Sequence, residues 1–102
     1  LTSDRDIKKR GKLYTAEVLI PNKKGLHARA SAQFVRTASK YPSCEVRVSR
    51  EGHTVGGTSI MGLMMLGAAQ GQTVTLEAEG DQAREAMNAL IDLIEDKFGE
   101  GE

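Results

Sequence analysis

Tryptophan is absent from the sequence, cysteine occurs once, and the aromatic residues are limited to Tyr14, Phe34, Tyr41 and Phe98. A lone Cys44 excludes an intrachain disulfide and any metal centre built on cysteines. His53 is the only histidine besides His27, which leaves a multi-histidine metal site remote, so no metal is expected. Charge of one sign is also missing: 14 basic and 14 acidic residues cancel. A dedicated nucleic-acid binder normally carries a strongly basic footprint, so this balance argues against one. No apolar run reaches membrane-spanning length, and the amino terminus lacks the apolar core of a signal peptide. A soluble cytoplasmic protein is the simplest fit.

What is present is an ordered succession of strand-like and helix-like runs in 102 residues, 39% of them hydrophobic, enough for one domain with a modest two-layer core. Residues 1–12 (LTSDRDIKKRGK) are polar and are predicted to be a flexible extension, with the domain at 13–102. The basic cluster of Lys8, Lys9, Arg10 and Lys12 reads as a solvated tail rather than a docking arm. Residues 13–20 alternate in period two, with Tyr14, Ala16, Val18 and Ile20 on one face. Residues 44–49 alternate again, and a turn at Arg50-Glu51-Gly52 returns the chain through His53, Thr54 and Val55 as a hairpin. His53 reads as an edge-strand residue.

Ser59 is a good N-cap for a short second helix over 60–66, with Ile60, Leu63 and Leu66 facing the sheet. Met61, Met64 and Met65 are then left at least partly outside, as core filling or as an adaptable docking surface. Residues 72–79 form the last strand. Asp81 is expected to cap a final helix whose apolar face runs from Ala83 to Phe98, where Gly99 ends it. The order β-α-β-β-α-β-α, with a polar face on each of four strands, predicts an α+β domain. Its antiparallel sheet has solvent on one side and helices on the other.

The stretch Gly25-Leu26-His27-Ala28-Arg29 joins the first strand to the first helix. His27 falls at or just before the first helical residue, where unpaired N–H groups and the positive end of the macrodipole favour an anion. A nucleophilic imidazole in that position, with Arg29 beside it, points to a histidine that carries a phosphoryl group. A lone histidine at a helix start is more often a tolerated polar residue. The rest of the chain therefore has to decide.

The element order, with G-L-H-A-R at 25–29, A-Q-F-V at 32–35 and S-I-M-G-L-M-M-L-G at 59–67, resembles HPr. HPr is the histidine-containing phosphocarrier family of the bacterial phosphoenolpyruvate phosphotransferase system. The resemblance covers residues 13–98 and implies an HPr-like open-faced β-sandwich of sheet order 1-4-2-3, with three helices on one face. His27 and Arg29 fall on the family's phosphorylation motif and Ser59 on its regulatory serine.

The implied function is a phosphocarrier that accepts a phosphoryl group from enzyme I on His27 and passes it to an enzyme IIA domain. It serves either sugar uptake or nitrogen and metabolic regulation. Backbone N–H groups of Ala28 and Arg29 would hold the phosphoryl oxygens while the Arg29 guanidinium offsets their charge. Arg36, Met61, Met64 and Met65 would form the partner surface. The resemblance further implies no cofactor, a monomer, no nucleic acid, no membrane insertion, and HPr kinase/phosphorylase as a possible partner at Ser59.

The methionine-rich second helix is similar to that of the nitrogen-regulatory branch. Where the family usually has proline after the arginine, this chain has Ala30, a good helix former that gives a less rigid first turn. Two other readings stay open. One is an HPr-like regulatory module that binds without transferring phosphate; the other is a ferredoxin-like RNA-binding domain. The latter is weakened by the lack of aromatics for stacking bases.

Overall fold

The computed structural model describes residues 6–100. Among them, five strands make one antiparallel sheet: β1 (Lys8–Arg10), β2 (Leu13–Leu19), β3 (Cys44–Arg50), β4 (His53–Gly56) and β5 (Thr73–Gly80), in the order β1-β2-β5-β3-β4. The helices are α1 (Ala28–Ala38), α2 (Ile60–Met65) and α3 (Ala83–Glu95), and a short 3-10 turn follows at Lys97–Gly99. Leaving β1 aside, the four remaining strands stand in the expected 1-4-2-3 order.

Period-two alternation decides which face of each strand is dry. Ala16, Val18, Val46, Val48, Val74, Leu76 and Ala78 are buried, and Phe34, Leu63, Met87, Leu90 and Ile94 from the helices close over them. The other face stays open to solvent. There Arg47 reaches Glu77 at 3.0 Å, Glu45 at 3.1 Å and Glu79 at 3.2 Å. These contacts, Glu77 first, push the pKa of its guanidinium further up. Such an exposed network adds little stability at ordinary salt.

Four local departures from the sequence reading have physical causes. Residues 8–10, expected to lie in a flexible extension, form β1 instead, while residues 1–5 lie outside the described residues. A turn through Gly11 (φ 62°) folds Lys8, Lys9 and Arg10 back against Thr15, Tyr14 and Leu13. Main-chain pairing is indifferent to side-chain polarity, so no apolar pattern announces this strand. Its lysines also guard the new sheet edge against pairing with other chains.

Asp81 does not cap α3. The cap position falls on Gln82 in the left-handed region, without a side-chain bond, because β5 runs on to Gly80, whose N–H reaches the Lys12 carbonyl. The last helix ends at Glu95 rather than continuing to Phe98, which enters the core from the separate turn. Ile60, expected to face the sheet, is 40% exposed, because α2 directs Leu63 and the following Leu66 inward instead.

Candidate functional site

The turn that leads into α1 is held from two sides. Asn22 is fully buried; its Nδ2 donates to the Gly25 carbonyl at 3.0 Å, and its main-chain carbonyl accepts from the Gly25 N–H at 3.2 Å. Leu26 N–H donates to the Ala68 carbonyl just beyond α2, at 3.0 Å. Gly25 makes this approach possible: its φ is 63°, and a Cβ there would stand 2.3 Å from the Ala68 oxygen. The loop before His27 and the segment after α2 are therefore one unit.

His27 is the N-cap residue of α1, with extended backbone, and its side chain makes no capping bond to this helix. The first intrahelical bond is Ser31 N–H to the His27 carbonyl, at 2.9 Å, so the N–H groups of Ala28, Arg29 and Ala30 precede the helical ladder. Ala30 is fully buried in the core. The His27 side chain is half-buried, at 24% exposure, rather than freely exposed as its place at a helix start suggests.

The cause is a neighbour from the far end of the chain. Nε2 of His27 is paired with Oε2 of Glu100, a side chain only 6% exposed, and Oε1 of the same carboxylate accepts from Asn22 Nδ2 at 3.1 Å. Asn22 and Glu100 are missing from the sequence reading. Asn22 looks there like a turn residue, and Glu100 follows a helix stop with no motif around it.

The remaining candidates are placed by their helices. Arg29 is exposed at the second position of α1. Arg36 is exposed in its last turn, about 13 Å from His27 by the helical rise. Ser59 caps α2 as expected: its hydroxyl accepts from the Gly62 N–H at 2.9 Å. Met61, Met64 and Met65 are 71%, 41% and 80% exposed, which excludes core filling for Met61 and Met65. The helix that carries these methionines, α2, packs on α1. His53 is exposed on β4, an edge strand. Cys44 is partly buried, and desolvation pushes its thiol pKa up, which makes it a poor nucleophile. No cluster of potential metal ligands occurs among the described residues, and no helix among them is long and apolar enough to cross a membrane.

Fold and site together define an open-faced α+β sandwich with a partly exposed histidine at a helix start that its own side chain does not cap. Comparison with known proteins then narrows the class. Residues 14–96 match the family described as the PTS HPr component phosphorylation site. The phosphocarrier protein HPr of Pseudomonas aeruginosa is 53% identical over 87 residues, covering 84% of this chain and 96% of the relative. That of Neisseria meningitidis is 57% identical over 83 residues, covering 81% and 92%. The crystal structure of HPr from Thermoanaerobacter tengcongensis superposes with a TM-score of 0.80 at 52% identity, covering 84% of this chain and 96% of the other. The chain belongs to the HPr family of phosphocarrier proteins.

Proposed function

We propose that this chain shuttles a phosphoryl group in the cytoplasm as a monomer, taking it from phospho-enzyme I on His27 and giving it to an enzyme IIA domain. The observation that carries this reading is the position of His27 at the N-cap of α1, where its ring does not cap the helix and is still partly exposed. The N–H groups of Ala28 and Arg29 would donate to the phosphoryl oxygens, and the Arg29 guanidinium would supply the counter-charge. A carrier must also release its cargo. Shallow, solvent-shared contacts keep the phosphoryl group transferable, and each partner can supply the remaining positioning. The reaction exchanges one bond to phosphorus for another and calls for no cofactor.

Partner docking is assigned to Met61, Met64 and Met65 on α2 and Arg36 at the far end of α1. Exposed methionines on a short helix suit successive partners, because their side chains repack easily. Ser59 borders this surface as the regulatory site for HPr kinase/phosphorylase. A phosphate there adds about −1.5 to −2 charges, which favours the start of α2 but repels an acidic partner surface. The pathway served is either sugar uptake or nitrogen and metabolic regulation, the methionine-rich sequence of α2 being similar to that of the nitrogen-regulatory branch. Incubation with enzyme I and phosphoenolpyruvate, followed by mapping of acid-labile phosphate, tests the carrier reading. Label on His27 supports it, and no label on the intact protein overturns it.

A further inference from the structure

We propose that Glu100 is a positioning residue for His27: its carboxylate holds the imidazole by Nε2 and so presents Nδ1 to the phosphoryl group. This inference rests on the carrier reading above and adds a residue from the opposite end of the chain.

A neutral imidazole has one nitrogen that donates and one that accepts, and an ionised carboxylate only accepts. With the ring neutral and the carboxylate ionised, the nitrogen against Glu100 Oε2 carries the proton and the lone pair is left on Nδ1. As Nδ1 attacks, the new Nδ1–P bond forms while the bond between phosphorus and the donor's leaving atom breaks, and that electron pair stays with the donor. Nε2 keeps its proton, so the ring gains positive charge, and the Glu100 carboxylate faces that charge. On delivery the acceptor's nucleophilic atom forms a new bond to phosphorus as the Nδ1–P bond breaks, the electron pair of that bond returns to Nδ1, and the ring is neutral again. A carboxylate behind a histidine does the same orienting work in hydrolytic triads and metal sites.

The placement of Glu100 is built rather than incidental. Three consecutive residues, Lys97 (φ 55°), Phe98 (φ 56°) and Gly99 (φ 77°), are left-handed and turn the chain back after α3. Two of them carry a Cβ, and such conformations persist only where the surroundings over-determine them. Phe98, 2% exposed, anchors the turn in the core, and bonds of 3.0 Å from Gly99 N–H to the Asp96 carbonyl and from Glu100 N–H to the Lys97 carbonyl close it. Asn22 then fixes the carboxylate through Oε1, with the same amide group that holds the turn before His27. One buried side chain thus sets the position of both the histidine and its partner.

The test compares the intact chain with Glu100→Gln and Glu100→Ala. Rapid-quench phosphorylation by phospho-enzyme I gives the rate, thermal unfolding gives a stability control, and two-bond 15N–1H spectra of His27 give the tautomer. Both variants are expected to accept phosphate about tenfold more slowly or worse, the scale for the outer partner of a functional histidine, at near wild-type unfolding midpoints. The neutral wild-type ring should carry its proton on Nε2, with a larger Nδ1–H share in Glu100→Ala. A Glu100→Gln protein that accepts phosphate at the wild-type rate overturns the proposal, as does a wild-type ring protonated on Nδ1. If the wild-type protein takes no phosphate at all, the carrier reading has failed instead, and the spectra still decide whether Glu100 holds Nε2.

Discussion

The neighbouring helices α1 and α2 solve the same problem at their starts in opposite ways. Both begin on an extended residue with a side chain able to hydrogen-bond. Ser59 turns its hydroxyl back onto the Gly62 N–H and closes the start of α2 with its own atoms. His27 turns its ring away, onto Glu100, and makes no capping bond to the start of α1. A closed helix start is a stability device, contributing about 1 kcal/mol. An open one forgoes that contribution and keeps its N–H groups for an outside anion. The comparison also extends to the helix faces: Ala30, Phe34 and Ala38 of α1 face the core, whereas three of the six residues of α2 are exposed methionines.

The largest effect should come from removing the imidazole. His27→Ala is expected to abolish phosphoryl acceptance from enzyme I while leaving circular dichroism and cooperative unfolding intact, because the side chain lies outside the core. Full phosphate incorporation by that variant would put the chemistry on another residue and erase the contrast between the two helix starts.

Next in size is the docking face. Met65→Glu or Met61→Glu should weaken enzyme I binding by about 1–3 kcal/mol, the range of a substantial interface contact. Unfolding free energy should change by less than about 0.5 kcal/mol, as for other surface positions. Calorimetric titration and denaturant melts on the same variant separate the two quantities. A melt that shifts without a selective loss of affinity would remove α2 from the partner surface.

Arg29→Ala should slow acceptance by about tenfold without stopping it, since the backbone donors at the start of α1 remain; this is less than is lost when a donor is removed from an enclosed oxyanion hole. Single-turnover rates in both directions check it, and unchanged rates would take the guanidinium out of the mechanism. Smallest of all, Ser59→Ala should cost about 1 kcal/mol of stability through the lost cap, read as a lower urea midpoint. An unshifted midpoint would show that the bond to Gly62 contributes nothing net, and that the two helix starts differ less than their geometry shows.

Much of this was legible from residue order because it is local. Alternation in Val74, Leu76 and Ala78 reports a strand whatever lies beyond it, and Ser59 caps α2 through a bond only three residues long. The G-L-H-A-R stretch placed His27 at the start of α1 for the same reason, since a strand end, a glycine turn and a helix start are all short-range features. The reading failed where the partner was distant or was main chain. β1 escaped it because its pairing uses backbone groups that lysine and arginine supply as well as valine does. The spacing of Phe98 continues the apolar face of α3, and only the left-handed turn shows that it arrives by another route.

By itself, then, the sequence determined the strand and helix periods, the single histidine at the start of α1 and the serine cap of α2, all set by interactions within a few residues. Tertiary structure alone decided that Met61 and Met65 face solvent, because a uniformly apolar helix has no polar face to say which side is dry. It alone also decided the surroundings of His27. Glu100 is 73 residues away along the chain, and nothing in its neighbours predicts the meeting. The contact exists because a buried phenylalanine and a left-handed turn aim the carboxylate back at Asn22 and His27, and that geometry appears only once the core has closed.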